Sequence, residues 1–347
     1  MNYDIFTGEI ENRKKQILEA ERRIWNNPEP GYKEWKTHAY LKGLYEGLGY
    51  TVREAGNIPG FCVDIETGRP GPRIAVFGEL DSLIVPTHPE CDKETGAVHS
   101  CGHNCQSAAM YGVAAALKAP GALDALCGAI RLIAVPAEEG IEIGYRNELR
   151  RQGVIRYIAG KQEFMYRGFL DGVDIAFTIH TGQKDSGFSY GRGQNGTFIK
   201  TAVFKGKSSH AGGAPWNGRN ALYAAMNAIN AANSLRETFK DGDTIRFHPI
   251  ITEGGSSVNS IPDCVKVESY VRGGSLAAMK DANDKINRAF AGAAAAMDCE
   301  LELHDIVGYH PNQNDLNLGE VLCGAAKIFG ASGFVGGFLI ERSSDPW

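Results

Sequence analysis

The residues with chemistry to offer begin at His99-Ser100-Cys101-Gly102-His103-Asn104, which runs into the alanine-rich stretch Cys105-Gln106-Ser107-Ala108-Ala109-Met110. A thiol set just before a helix N-terminus has its thiolate favoured by the helix dipole and the free N–H groups. On a tight glycine turn, a Cys-x-His pair can aim sulfur and imidazole at one point. Taken alone, such a pair is more often ordinary packing. Cys101 and Cys105 also offer a thiol redox pair, whereas a Cys₄ zinc site lacks the second cysteine cluster it would need. Glu138-Glu139 closes an apolar run. Adjacent carboxylates repel without a cation, and neighbouring side chains point in different directions, so one can hold a metal while the other faces a substrate. A solvated acidic turn is the plain alternative. His180 alone reads as a core histidine, but together with the other two sites it becomes a ligand candidate.

These groups need a frame. Residues 10–48 read as helix, interrupted at Asn27-Pro28-Glu29-Pro30-Gly31 by a proline-rich turn. Strand-like alternation follows at 50–53 and 61–65. Three apolar runs then end in polar residues: 73–77 in Gly78-Glu79-Leu80-Asp81, 129–135 in Pro136-Ala137-Glu138-Glu139, and 173–179 in His180. Short apolar strands alternating with helical patterns predict a doubly wound, largely parallel α/β sheet buried on both faces. Ligands collect beyond the carboxyl ends of such strands, which is where all three polar endings fall.

From about Gly196 the pattern changes. Strands at 197–206, 244–253, 265–272 and 299–306, with helices at 220–235 and 276–297, give the β-α-β-β-α-β order of a ferredoxin-like α+β domain. The expected division is a first domain over 1–195, an inserted domain over 196–306 and a return segment over 307–347. Gly191-Arg192-Gly193-Gln194-Asn195-Gly196 fits a dinucleotide-binding glycine pattern, but a strand follows it where a helix is required.

A chain of 347 residues is long for one core, which agrees with two domains. The formal charge of -5 gives no basic face for nucleic acid. The opening residues read as an amphipathic helix rather than a signal peptide, and apolar stretches such as 112–117 fall far short of the roughly 20 residues that span a bilayer. A cytoplasmic protein with no membrane partner is expected. Its eight cysteines are too sparse for a disulfide framework.

In these motifs the sequence resembles the aminoacylase/carboxypeptidase-like metallo-amidohydrolases, in the branch of aminobenzoyl-glutamate hydrolases, auxin-conjugate hydrolases and N-acyl-amino-acid amidases. The motifs are Asn27-Pro28-Glu29-Pro30-Gly31-Tyr32-Lys33-Glu34, Gly78-Glu79-Leu80-Asp81-Ser82-Leu83, the Cys101 segment, Pro136-Ala137-Glu138-Glu139-Gly140 and Ile179-His180-Thr181. In the second domain they are Phe204-Lys205-Gly206-Lys207-Ser208-Ser209-His210-Ala211 and Asn259-Ser260-Ile261-Pro262-Asp263. The resemblance implies two divalent metal ions, Zn or Mn, bridged by Cys101 and held further by His103, Glu139 and His180. Glu138 is then left as the general base, with Asp81 orienting a histidine ligand. It also implies that His210 reaches a partner subunit's site to stabilise an oxyanion, and that Asn259 and Arg272 hold a substrate carboxylate. The implied substrate is a small amide with a free carboxylate, and the implied assembly a homodimer formed through the inserted lid domain.

The family pattern carries one more histidine ligand after a Ser/Thr-Asp motif near its C-terminus. Ser343-Ser344-Asp345 resembles the start of that motif, and no histidine follows His310. His304 and His310 are poor substitutes by position. The expectation is a shortened return segment that leaves the apolar run 333–340 incompletely covered. A non-catalytic remnant that folds and dimerises is the competing reading.

Overall fold

The computed structural model describes residues 3–182, 189–191, 193–328 and 335–336. The chain forms two compact units, Met1–Gly182 and Gln183–Trp347. The first opens with helices α1 (Asp4–Trp25) and α2 (Trp35–Gly47), separated by the proline-rich turn that the sequence marks. Strands β1 (Arg53–Glu54), β2 (Phe61–Glu66) and β3 (Arg73–Glu79) follow, then a small ribbon of β4 (Leu83–Ile84) and β5 (Ala97–Val98). Helix α3 (His103–Ala116), strand β6 (Ala129–Val135), helices α4 (Ile143–Arg151) and α5 (Gly160–Tyr166) and strand β7 (Ile175–Thr178) complete the unit.

Its sheet runs β1-β2-β6-β3-β7. The three strands that end in polar residues, β6, β3 and β7, pair in parallel, while β1 and β2 join antiparallel, so the sheet is mixed rather than largely parallel. Strand alternation splits the core between the faces. Leu132 and Ala134 of β6 pack with α1, α2 and α3, while Ile133 and Val135 pack with Phe164 and with partly buried residues of α4. The strand expected over 50–53 shortens to two residues, because the N–H of Tyr50 is spent closing α2 on the Tyr45 carbonyl. Its hydroxyl donates to the Ala114 carbonyl from inside the core.

The second unit holds β8 (Ser189–Tyr190), β9 (Gly193–Gln194), β10 (Gly196–Lys205), α6 (Ala221–Ser234), β11 (Arg246–Glu253), β12 (Cys264–Gly273), α7 (Leu276–Ala296) and β13 (Glu300–Tyr309). After these come β14 (Asn312–Gln313), α8 (Leu316–Ile328) and β15 (Val335–Gly336). The order β11-β12-β10-β13, antiparallel throughout, is the ferredoxin-like arrangement read from periodicity. Five alanines of α6 are buried, which lets that helix lie close to the sheet and to α7. Ser343-Ser344-Asp345 and most of the apolar run 333–340 lie outside the described residues. Among the described residues, no helix is long and apolar enough to cross a membrane.

One buried charge sits in this second sheet. Lys200 on β10 is 1% exposed and donates to Asp305 Oδ1 on β13 at 2.6 Å. Burial pushes the Asp305 carboxyl up, but hydrogen bonds from Asn287, Lys200 and Asn283 outweigh it and hold its pKa below the ordinary 3.8. Asp305→Ala, which strands the buried ammonium, is expected to cost about 3 kcal/mol in urea unfolding. The depressed carboxyl contributes stability above its unfolded value, and that contribution is lost as pH falls through the folded one. Asp305→Asn should therefore flatten the acid limb of the stability profile.

Candidate metal centre

Three chain segments meet at His103, the first residue of α3. Gly102 before it adopts φ +84°, and a Cβ there would collide with Thr181, so the turn between Cys101 and His103 needs glycine. His103 is fully buried. Its Nδ1 lies 2.8 Å from the Asp81 carbonyl oxygen and 3.3 Å from Asp81 Oδ1. A proton on Nδ1 donates there, which leaves Nε2 as the nitrogen that could bind a metal in place of a second proton. Nε2 faces Glu79 Oε2 at 3.2 Å and Glu139 Oε1 at 4.0 Å. Asp81 Oδ2 accepts the Glu139 N–H at 2.8 Å, so one residue holds the imidazole through its carbonyl and the glutamate loop through its carboxylate.

On the other side, Cys101 Sγ lies 3.4 Å from His180 Nε2. His180 Nδ1 is 2.8 Å from the Thr181 carbonyl oxygen, which turns Nε2 toward the thiol. The Thr181 hydroxyl donates to the Cys101 carbonyl at 2.9 Å and ties the two segments. Ligand atoms of Cys101, His103 and His180 lie within 4.8 Å of one another, and so do those of His103, Glu138 and Glu139. His103 belongs to both sets.

The electrostatics show an excess of negative charge. Burial raises the Glu138 carboxyl, and Glu79 raises it further. Burial and Glu138 push Glu139 up to about 7. Burial pushes the Cys101 thiol up to about 11. Burial opposes a charge on His103, but Asp81, Cys101 and Glu79 outweigh it and hold its pKa well above the ordinary histidine value. His99, buried beside this cluster, is pushed down to about 4 by burial and by His103. The donor set fits a divalent cation. His103 Nε2, Glu79 Oε2 and Glu139 Oε1 are buried without a hydrogen-bond partner, and thiolate, imidazole and carboxylate are together a transition-metal donor set. A cation there would favour the carboxylate and thiolate forms that burial now opposes.

The structure thus brings Asp81, Cys101, His103, Glu138, Glu139 and His180 together in the first unit. His210, Asn259 and Arg272 stand in the second. His210 is exposed, and its Nδ1 accepts the N–H groups of Gly212 and Gly213 at 3.2 and 2.8 Å. Asn259, also exposed, accepts the Ala211 N–H through its carbonyl at 2.9 Å. Arg272 lies on β12 opposite Thr197 and Arg246, with its guanidinium 5.4 Å from the Tyr270 ring.

Two residues of the cluster carry no local signal of their role. Glu79, 2% exposed, sits between His103 and Lys161. It is the last residue of β3, two before Asp81. Lys161, near the start of α5, pairs with Glu79 and lies 3.9 Å from Glu138 Oε1. Burial works against its ammonium, but Glu79 and Glu138 prevail and raise its pKa above the ordinary lysine value.

Residues 192–298 match the peptidase dimerisation domain of the M20 group. The chain is 28% identical over 323 residues to mouse Xaa-Arg dipeptidase, covering 88% of this chain and 67% of that one. It is 26% identical to a component of the p-aminobenzoyl-glutamate hydrolase of Escherichia coli, covering 86% of this chain and 60% of the relative. A dinuclear metal-binding M20 peptidase of Bacillus subtilis shares the fold with a TM-score of 0.62 at 21% identity, over 94% of this chain and 82% of that one. The chain carries an M20 peptidase dimerisation domain, and the proteins it resembles include M20 peptidases and amidohydrolases. It spans about two thirds or less of the length of these curated relatives.

Within the first unit the Lys161–Glu79 pair invites a direct test. Lys161→Met leaves a buried carboxylate beside other carboxylates. It is expected to destabilise the protein by about 3 kcal/mol in urea unfolding with a chelator present. Lys161→Arg should keep most of that stability.

Proposed function

We propose that the chain is a metal-dependent amidohydrolase that splits the amide bond of an N-acyl or aminoacyl amino acid. The substrate is of the aminobenzoyl-glutamate or dipeptide kind, with a free carboxylate. The observation that supports this most is the convergence of Cys101, His103, Glu138, Glu139 and His180 at the strand ends of one sheet. The names of the mouse and Escherichia coli relatives point to the same class of bond.

In this proposal Cys101, His103, Glu139 and His180 would hold two divalent ions, zinc or manganese. Such ions would supply polarisation of the scissile carbonyl and a water acidic enough to ionise near neutral pH. Asp81 keeps the His103 proton on Nδ1 and the imidazole aimed. Glu138 takes the proton of the attacking water and hands it to the departing amine. Its burial, which raises its affinity for a proton, suits it to that relay. His210, whose Nδ1 already accepts backbone N–H groups, has Nε2–H to donate to a developing oxyanion, from the partner subunit of a homodimer. Asn259 and Arg272 bind the substrate carboxylate, for which a planar guanidinium is suited. The division into 1–195, an inserted lid and dimerisation domain over 196–306, and a return segment over 307–347 belongs to the same proposal, as does a cytoplasmic location.

The test uses the purified protein loaded with zinc or manganese and a panel of N-acyl amino acids and dipeptides, with amine release as the readout. Glu138→Gln is expected to keep its ions and lower kcat by about 10²–10⁴-fold. Wild-type protein that binds ions yet releases no amine across the panel rejects the hydrolase and leaves the remnant.

A further inference from the structure

The division of labour between Glu138 and Glu139 depends on the backbone just before them. Ala137 is fully buried and adopts φ +54°, a left-handed conformation that a side chain disfavours. An alanine stays there only when its surroundings over-determine it. Its N–H donates to Glu34 Oε1 at 2.8 Å. Its carbonyl accepts the Gly160 N–H at 3.0 Å and Arg146 Nη1 at 3.4 Å. Both polar groups of this one residue are therefore gripped by distant parts of the chain.

The gripping side chains are unusual in themselves. Glu34 and Arg146 are both 0% exposed, although glutamate and arginine are seldom fully buried. Arg146 Nη1 also donates to the Ile158 carbonyl at 3.2 Å, which fixes the guanidinium between two loops. The packing leaves no slack. A Cβ on Gly31 would strike Arg146 Nη2 and come within 2.9 Å of Ala137 Cα. A Cβ on Gly160 would overlap the Pro136 carbonyl oxygen.

We infer that Glu34 and Arg146 are positioning residues, which hold Ala137 left-handed and thereby send the Glu138 and Glu139 carboxylates to different partners. Directly after this residue the Glu139 N–H reaches Asp81 and its carboxylate faces His103, while Glu138 faces Lys161. Glu34 and Arg146 act through the Ala137 backbone. The inference rests on the reading of Glu139 as ligand and Glu138 as base.

The test compares Glu34→Gln, Glu34→Leu and Arg146→Lys, each alone and combined with Ala137→Gly. The readouts are hydrogen exchange at the Ala137 amide, zinc affinity, and kcat separated from KM. Glu34→Leu removes the acceptor and is expected to speed exchange at Ala137 by about tenfold or more. It should lower zinc affinity by about 10–100-fold, the usual effect of losing a group that orients a ligand. The loss in turnover should fall on kcat. Glu34→Gln keeps an acceptor oxygen and should keep most of the zinc affinity. Glycine adopts a positive φ freely, so Ala137→Gly should return part of what Glu34→Leu loses.

Unchanged zinc affinity and kcat in Glu34→Leu overturn the inference. So does Ala137→Gly deepening the losses, which is what a packing role alone predicts. If Glu34→Leu does not fold, Arg146→Lys, which keeps the charge and loses the fork, decides by the same readouts. Wild-type protein without zinc binding or turnover would sink the hydrolase reading. Exchange at Ala137 in Glu34→Leu and Arg146→Lys would still decide the clamp, with wild-type rates in both overturning it.

Discussion

The hydrogen bond from His103 Nδ1 to Asp81 is the contact on which the rest of the first unit depends. It fixes a fully buried imidazole by one nitrogen and turns the other toward Glu79 and Glu139. The same aspartate takes the Glu139 N–H, so the end of β3 organises both the start of α3 and the loop after β6. An imidazole free to rotate would leave no common point for the thiol, the second histidine and the glutamates. The parallel core β6-β3-β7 places those segments side by side, and the antiparallel addition of β1 and β2 leaves that arrangement intact.

This geometry has an electrostatic consequence. Bringing Glu79, Asp81, Glu138 and Glu139 together costs free energy that the surrounding protein only partly offsets. Lys161 relieves Glu79 and His103 relieves Asp81, yet Glu138 and Glu139 both hold their protons more tightly than free carboxyls do. A fold meant only to be stable would exchange such groups for apolar ones, since buried charge seldom stabilises on its own account. Perturbed carboxyls gathered at strand ends are the pattern of a site.

Much of this was legible in the sequence because it is local. Asp81, Glu138, Glu139 and His180 each follow an apolar run, and Cys101 and His103 flank a glycine before an alanine-rich helix. The second unit could be read strand by strand, since a half-buried antiparallel sheet alternates visibly. What periodicity cannot convey is which distant segment pairs with which. The antiparallel entry of β2 beside β6 left no local mark. Arg146 lies among Arg150 and Arg151 on α4 and reads as one more solvated charge, yet it is wholly enclosed. Glu34 closes a recognisable motif, but its bond to Ala137 spans 103 residues and depends on a backbone angle that no pattern of side chains announces.

Two lysines separate functional charge from structural charge in this chain. Lys200 is almost fully buried in the second sheet. Burial lowers its pKa even though Asp305 stands against it, the result expected of one ammonium matched to one carboxylate. Lys161, about a third exposed, is shifted the opposite way by Glu79 and Glu138 together. The difference lies in the surroundings, since the residue type is the same. Around Lys200 the anion is paired and further satisfied by Asn283 and Asn287. Around Lys161 the carboxylates outnumber the cation, and buried oxygens of Glu79 and Glu139 lack a hydrogen bond. A structural pair balances its charges, whereas the cluster around Lys161 carries an anionic surplus of the kind that a divalent ion offsets.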